Sequence, residues 1–301
     1  MKTGAYLRKV KDHLLYRLQR TGCFDSWSDE KYLRLIYRWR TGSRLDLANP
    51  QTFNEKLQWL KLNDRQSIYT RMVDKAAAKE YIAEKIGAGY TIPTLGVWER
   101  FEDIDFTCLP DQFVLKCTHN SGGLVICRDK ARLDLSAARD ILERCLARDY
   151  YLNGREWPYK DVPRRIIAEA YIEDADSPDG TLTDYKVFCF GGTPRIIMTV
   201  KGGHGEEKRT VRRMYDPEWK LYEVGLHGKA FADNPEPRPD ALDEMLRLAG
   251  KLSEGLRHLR VDFYVVGGKV YIGELTFYHM SGMERFEPAS FDRMFGDFIE
   301  L

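Results

Sequence analysis

The sequence of 301 residues contains no run of 18 apolar residues, so we expect no helix that crosses a membrane. Its first 20 residues lack both an uninterrupted apolar stretch and a small-residue cleavage site, and we expect no secretory signal there. Net charge is nearly absent, because 47 Lys and Arg oppose 46 Asp and Glu. This balance argues against a general nucleic-acid-binding protein, and we expect no nucleic-acid partner.

The sequence also lacks any C-x-x-C spacing among its six cysteines, and no internal repeat is visible. We therefore expect neither a disulfide framework nor a zinc site, and we predict a cytoplasmic protein. The hydrophobic fraction of 43% and the charged fraction of 31% are those of a globular chain with a substantial core. The length suggests one large domain or two ordinary ones.

Residues 1–22 have the pattern of a basic amphipathic helix, with six Lys and Arg against a single Asp. Two interpretations stay open for this segment. It can be a docking helix with a solvated face, or it can contact an anionic surface such as the inner face of a membrane.

Three further helices are predicted within residues 1–90. One begins after Ser28, a favourable N-cap residue, and stops before Gly42. Another begins with the capping-box pattern of residues 52–55, and the third extends over residues 74–86.

After Tyr90 the pattern changes to short runs of β-branched and aromatic residues. Strands are predicted at 91–98, 112–118, 124–128, 165–172, 184–190, 195–201, 209–215, 219–224, 260–266 and 269–277. Helices are predicted at 136–150, 240–256 and 290–301. Hairpins outnumber alternating strand–helix units, so the predicted fold class is α+β rather than a Rossmann fold.

Lys116 closes an apolar strand and precedes the polar, Gly-rich turn of residues 118–123. Glycine lets backbone N–H groups approach phosphate oxygens closely, and a lysine adds positive charge. The pattern indicates a phosphate-binding turn, with an ordinary hairpin turn as the alternative. His119 within this turn is either a general base or a structural residue.

The strand at 165–172 runs into an acidic loop. Backbone groups near its end can pair with an adenine, and the carboxylate of Glu169 can accept from the adenine amino group. In the following strand, period-2 alternation places Asp184 and Lys186 on one face.

Asp262 and Glu274 are carboxylates inside very apolar strands, where an unpaired charge is costly. Mg²⁺ is one suitable partner and a salt bridge to Arg260 is the other. A two-residue turn at Gly267-Gly268 would place the two carboxylates on opposite faces of the hairpin. We therefore predict a three-residue turn, which brings them to one face.

The order of these features resembles the ATP-grasp superfamily. The segment VDKAAAKEYIAEKIGAGYTIPTLGVW is similar to the D-K-x-x-x-K helix and Gly-x-x-x-Pro turn of that superfamily. More closely, NEKLQWLKLNDR, PDQFVLKCTHNSGG, GREWPYK, DYKVFCFGG and RVDFYVVGGKVYIGELTF look like the TupA-like (teichuronopeptide-biosynthesis) ATP-grasp family.

The resemblance implies an α+β ATP-grasp fold whose two lobes clamp ATP, preceded by a mainly helical region. The implied divisions are a helical region at 1–90, a central lobe at 91–164 and a C-terminal lobe at 165–301. The residues implied to hold the phosphates and the adenine of ATP are Lys75, Lys116, Ser121, Gly122, Gly123, Glu169, Ala170, Tyr171 and Ile172.

The resemblance also implies a catalytic group and a metal site. Asp184 and Lys186 correspond to an acidic-x-basic pair that lines the active site, and one of Arg209, Arg212 and Arg213 would steady the transferred phosphoryl group. Asp262, Glu274 and Thr276 would hold Mg²⁺. Thr276 stands where most ATP-grasp enzymes have Asn, which leaves open whether one or two metal ions bind.

The implied reaction is ATP-dependent ligation of a carboxylate to an amine through an acyl phosphate. The carboxylate acceptor would be a uronic-acid or glutamate-type surface polymer or its precursor. Two alternatives remain open. One is a metal-dependent glycosyltransferase using the D-x-D matches at residues 103–105 and 174–176, and the other is a non-catalytic ATP-binding partner in polysaccharide assembly.

Overall fold

The computed structural model describes residues 15, 17–19, 21–173, 182–202, 210–226 and 231–301. Most of the predicted helix of residues 1–22 lies outside this part of the chain. The helices are α1 (Asp29–Thr41), α2 (Phe53–Asn63), α3 (Ile68–Val73), α4 (Ala77–Ile86), α5 (Leu135–Leu146), α6 (Tyr151–Gly154), α7 (Leu242–Leu252) and α8 (Ser290–Gly296). The strands are β1 (Thr94–Trp98), β2 (Phe113–Cys117), β3 (Val125–Cys127), β4 (Ile166–Ala170), β5 (Asp184–Phe190), β6 (Thr193–Lys201), β7 (Val211–Tyr215), β8 (His258–Val266) and β9 (Lys269–Thr276).

The caps of the helical region follow the local sequence signals. The Ser28 side chain accepts from the backbone N–H of Lys31 at the start of α1, and the helix ends at Gly42 with a left-handed φ of 82°. Thr52 and Glu55 form the predicted capping box of α2. The helix predicted from residue 74 begins later, at Ala77, because Asp74 ends α3 and its carboxylate accepts from a backbone N–H in the turn between the two helices.

The first sheet is antiparallel, in the order β1-β4-β2-β3. Alternate residues of β2, among them Phe113 and Leu115, pack with Leu142 of α5 in a buried core. The intervening residues, including Lys116, therefore lie on the opposite face of the sheet. The predicted boundary at residue 165 assigns β4 to the C-terminal lobe, whereas β4 pairs with β1 and β2 in the first sheet. The division of the chain into three regions stays a prediction.

The second sheet is also antiparallel, in the order β7-β6-β5-β8-β9. Val187 and Val261 share a buried core with Leu248 of α7, which covers one face. The strand predicted at 219–224 does not form. It makes only an isolated bridge between Leu221 and Tyr215 of β7, because the chain turns back at Asp216 through short local hydrogen bonds.

The two sheets meet where the chain passes from the helical region into β1. The backbone N–H of Ile272 in β9 donates to the carbonyl of Tyr90 at 2.7 Å, and Thr91 forms a parallel bridge with the same strand. This crossing holds β9 of the second sheet beside the entry to the first. None of the helices in the described ranges combines the length and apolar character needed to span a membrane.

Candidate active site

The predicted phosphate turn follows β2 directly. The N–H of Thr118 donates to the carbonyl of Arg165 at 2.8 Å, so the start of the turn is tied to the residue before β4. Gly122 and Gly123 have φ values of 115° and 64°, which side-chain-bearing residues rarely adopt. A Cβ at Gly123 would also collide with the sulfur of Cys145. The turn therefore requires glycine for both its backbone conformation and its packing.

Lys116 forms an ion pair with Glu169 on the face of the first sheet opposite α5. Its Nζ lies 2.6 Å from Oε2 of Glu169, and Nζ of Lys79 lies 2.6 Å from Oε1. Burial alone would raise the pKa of Glu169, but the two lysines outweigh that effect and lower it. Glu169 therefore orients two ammonium groups. Its predicted contact with the adenine amino group stays a prediction.

The other predicted adenine residues continue from Glu169. The N–H of Ala170 donates to the carbonyl of Pro93 at 2.9 Å, which joins the end of β4 to the chain before β1. Tyr171 and Ile172 follow the strand and are half-buried, and the guanidinium of Arg128 lies 5.7 Å from the ring centroid of Tyr171. Their role in nucleotide binding stays a prediction.

Lys75 lies against the Gly-rich turn that follows β2. Its ammonium group donates to the carbonyl of Asn120, and its backbone N–H donates to the carbonyl of Thr118 at 3.1 Å. Burial lowers the pKa of Lys75. The neighbouring Asp74 pairs with Arg165 at 2.7 Å, so the segment before α4 is fixed to the beginning of β4.

A second charged group lies on the face of the second sheet opposite α7. Lys186 is directly opposite Asp262 in the β5–β8 pairing, and its Nζ lies 2.5 Å from Oδ2 of both Asp262 and Asp184. Burial raises the pKa of Asp184 to about 6, with the nearby Asp262 carboxylate adding to the shift and Lys186 opposing it. Among the described residues, no hydrogen-bond donor reaches Oδ1 of Asp184.

Arg260 occupies the centre of this group. Its Nε and Nη2 donate to the two oxygens of Asp262 at 2.6 and 2.7 Å, in a bidentate pair. The same Nη2 lies 3.1 Å from Oε1 of Glu274 and 3.1 Å from Oγ1 of Thr276. The salt bridge to Arg260, one of the two predicted partners of these carboxylates, is present.

The prediction of a three-residue turn between β8 and β9 is wrong. Val266 pairs with Lys269, so the turn has two residues. Asp262 nevertheless lies opposite Glu274, because the register shifts between Asp262 and Phe263 and leaves Gly273 as an extra residue. The convergence of the two carboxylates is therefore confirmed, but a β-bulge produces it.

Lys75, which lies against the phosphate turn, acts on Glu274 of the second sheet. Burial alone would raise the pKa of Glu274, but the positive charges of Lys75, Arg260 and Lys186 outweigh that effect and lower the pKa to about 2. The field of Glu274 likewise opposes the effect of burial on Lys75. The phosphate turn and the second sheet therefore contribute to one charged site.

The family model described as TupA-like ATPgrasp matches residues 55–300. The chain belongs to the TupA-like ATP-grasp family. Its fold, two α+β lobes after a helical region, is accordingly the ATP-grasp fold. No curated protein matches the sequence.

Several solved structures are similar to this chain. D-alanine–D-alanine ligase from Bacillus anthracis, complexed with ATP, has 15% identity and a TM-score of 0.39 over 68% of this chain and 53% of its own. N5-carboxyaminoimidazole synthetase from Staphylococcus aureus, complexed with ADP, has 14% identity and a TM-score of 0.41 over 77% and 53%. D-alanine–D-alanine ligase from Helicobacter pylori has 13% identity and a TM-score of 0.42 over 84% and 70%. The chain spans about half the length of the first two proteins.

Two of the three arginines proposed by analogy with ATP-grasp enzymes, Arg212 and Arg213, lie within the described residues. Arg213 is buried and pairs with Glu236 at 2.7 Å, rather than with Asp262 or Glu274. Arg212 lies opposite Val200, which in turn lies opposite Asp184, so it shares a sheet face with the charged group. Arg209 lies outside the described residues. Of the arginines in the described ranges, Arg260 is the one that contacts Asp262.

The structure also bears on the D-x-D matches and on His119. Asp103 pairs with Arg100, and Asp105 caps a short helical turn by accepting from Thr107, so this D-x-D match is part of the local surface structure. Residues 174–176, the second match, lie outside the described residues. His119 is buried, and its Nε2 bonds the carbonyl of Arg148 at 3.2 Å, which favours the structural interpretation of this residue.

The oxygen donors of the second sheet suit Mg²⁺. Asp262, Glu274 and Thr276 supply two carboxylates and a hydroxyl, and Glu274 is the most accessible, with 38% of its side chain exposed. In the part of the chain that is described, no three His, Cys, Asp or Glu side chains form a complete metal-binding group. This donor set matches Mg²⁺ that takes one or two protein carboxylates and completes its shell with phosphate oxygens and water.

The sequence predictions did not include Lys79, which pairs with Glu169, and they named Arg260 only as a salt-bridge partner. Both had a usable signal. Lys79 is the second lysine of the D-K-x-x-x-K pattern, and Arg260 precedes Asp262 by two residues on the same strand face.

Proposed function

We propose that this protein is an ATP-dependent carboxylate–amine ligase. The observation that carries the proposal is that Lys75, bonded to the Gly-rich turn, acts on Glu274, which contacts Arg260 of the bidentate Arg260–Asp262 pair. This arrangement suits a triphosphate, because the lysines can bind phosphate oxygens while the carboxylates hold the magnesium ion that accompanies ATP.

The residues have distinct proposed roles. Lys75, Lys79 and Lys116 would hold phosphate oxygens, and the turn at Ser121, Gly122 and Gly123 would cover them. The chain at Ala170, Tyr171 and Ile172, after Glu169, would hold the adenine. When bound, Mg²⁺ would neutralise charge on the phosphates, with Asp262, Glu274 and Thr276 as its protein ligands.

The proposed chemistry has two steps. An oxygen of the acceptor carboxylate attacks the γ-phosphorus of ATP, the bond to the bridging oxygen breaks, and an acyl phosphate and ADP result. Arg260 and Lys186 would stabilise the charge on the transferred phosphoryl group. The amine nitrogen then attacks the acyl carbon, inorganic phosphate leaves, and the amine loses a proton.

Asp184 is the proposed acceptor of that proton. Its pKa of about 6 lies close enough to neutrality for general-base catalysis, and its Oδ1 has no donor among the described residues. The acceptor is proposed to be a uronic-acid or glutamate-type polymer or precursor of surface-polysaccharide synthesis, as the family resemblance implies. A cytoplasmic location and contact of residues 1–22 with a membrane surface belong to the same proposal.

The full chain should therefore release ADP from Mg·ATP only when both a carboxylate and an amine are supplied. A panel of uronic acids, glutamate and amino acids is assayed for ADP and phosphate release. With ¹⁸O in the acceptor carboxylate, one labelled oxygen should appear in the phosphate released with the amide. Glu274→Gln should abolish turnover, whereas Glu254→Gln, at an exposed position after α7, should not.

Other outcomes would point to other functions. Release of UDP or another nucleoside diphosphate from a sugar donor would indicate a glycosyltransferase and refute the ligase. Tight ATP binding without turnover on any pair of substrates would indicate a non-catalytic ATP-binding partner. Phosphate without ¹⁸O would exclude the acyl phosphate.

A further inference from the structure

Arg260 has a further contact, through a nitrogen that does not bind its carboxylate partners. Its Nη1 lies 3.0 Å from Nδ1 of His279, a residue in the turn after β9. Both side chains are buried. The guanidinium is therefore held from two sides, by Asp262 through Nε and Nη2 and by His279 through Nη1.

This contact determines the protonation state of the imidazole. A guanidinium can only donate hydrogen bonds, so Nδ1 of His279 must accept and carries no proton. A neutral imidazole then has its proton on Nε2. That nitrogen lies 3.3 Å from Oε2 of Glu284, a buried carboxylate that favours a proton on this side of the ring.

Glu284 is in turn fixed to the helical region. Its backbone N–H donates to Oδ1 of Asn54 and its carbonyl accepts from Nδ2 of Asn54, each at 2.9 Å. A third bond, from the N–H of Arg285 to Oε1 at 2.7 Å, orients the carboxylate. The buried chain of contacts thus extends from α2 through Glu284 and His279 to Arg260.

The turn that carries His279 is held in an unusual backbone conformation. Met280 and Ser281 have φ values of 47° and 55°, a region that costs energy for residues with side chains. The buried ammonium group of Lys61 donates to the carbonyl and the hydroxyl of Ser281, both at 2.9 Å, and to the carbonyl of Gly154 at 2.8 Å. The surrounding structure therefore imposes the conformation that directs His279 towards Arg260.

We propose that His279, oriented by Glu284, is a positioning residue that holds the guanidinium of Arg260 against Asp262 and towards the reacting phosphoryl group. The contribution to catalysis rests on the proposed function of the site. The geometric part, a neutral imidazole accepting from Arg260, does not depend on it.

The geometric part is tested on the wild-type protein in solution. In ¹⁵N-labelled full-length protein at neutral pH, the ring-nitrogen resonances of His279 are assigned by their loss in His279→Asn. An unprotonated Nδ1 with a protonated Nε2 is the expected result. A proton on Nδ1, or a doubly protonated ring, would overturn the inference whatever reaction the protein catalyses.

The catalytic part is tested by a matched pair of variants in the ADP-release assay. His279→Gln can still reach Glu284 but leaves Nη1 of Arg260 without its acceptor, and kcat should fall about 10- to 100-fold. His279→Asn offers an amide oxygen near the position of Nδ1 and should recover most of that loss. The Kd for ATP should stay within about twofold in both, because neither variant removes a proposed phosphate ligand.

His258→Gln is the control. His258 is buried to a similar degree and bonds the carbonyl of Cys189 rather than Arg260, so the variant should keep the wild-type kcat. Equal loss of kcat in the Gln and Asn variants of His279, or wild-type kcat in His279→Gln, would overturn the positioning role. If the wild type itself releases no ADP with any substrate pair, the proposed function fails, and the NMR result alone decides the geometry.

Discussion

Lys116→Ala should weaken ATP binding without unfolding the protein, because Glu169, the partner of Lys116, also pairs with Lys79. The Glu169 carboxylate is buried and pairs with both Lys116 and Lys79 at 2.6 Å. Removing a charge-assisted contact to phosphate costs about 1.5–3 kcal/mol, which raises the Kd for ATP about 12- to 150-fold.

The folded state should tolerate the same change. Leaving a buried charge without any partner costs about 3–5 kcal/mol, but in Lys116→Ala the Glu169 carboxylate keeps Lys79. The free energy of unfolding should therefore fall by much less than that. The double variant Lys79→Ala with Lys116→Ala leaves Glu169 without either cation and should show the full loss.

Calorimetric titration with Mg·ATP measures the Kd, and urea unfolding measures the stability of each variant. Lys130→Ala is the control, because Lys130 lies in the same lobe and donates to the carbonyl of Leu109, away from the charged site. An unchanged Kd in a folded Lys116→Ala protein would refute the phosphate-binding role. A single variant as unstable as the double one would refute the sharing of Glu169 between two lysines.

Two further predictions concern the second sheet. Burial raises the folded-state pKa of Asp184 to about 6, so the folded protein binds more protons than the unfolded chain between about pH 4 and pH 6, and this group reduces stability as pH rises through that window. Asp184→Asn removes the titration, so its melting temperature relative to wild type should increase from about pH 4 to about pH 7, and a constant difference would contradict the assignment. Gly273→Ala would place a Cβ 2.7 Å from Cε2 of Tyr264 and should cost about 1–3 kcal/mol and reduce ADP release. Gly268→Asn, at a turn position with open space and a left-handed φ that Asn tolerates, should do neither, and equal effects of the two substitutions would refute the role of the bulge.

Patterns that depend on neighbouring residues were predictable from the sequence. The capping box of Thr52 and Glu55 and the glycine stop at Gly42 form as expected, because the partners of a helix cap lie within a few residues of one another. The same holds for the Gly-rich turn after Lys116. The strand at 219–224 failed because short runs of apolar residues do not reveal whether a neighbouring edge strand continues alongside them.

The amino-acid sequence by itself thus determined the α+β class, the family, and the residue types that bear charge within apolar strands. Only the tertiary structure decided how those charges pair. The alignment of Asp262 with Glu274 depends on a bulge at Gly273 rather than on turn length, and Lys79 reaches Glu169 from a helix 90 residues earlier. A buried ion takes whichever opposite charge the packing brings to it, and that packing joins elements as distant as Asn54 and Glu284, so no local pattern records the choice.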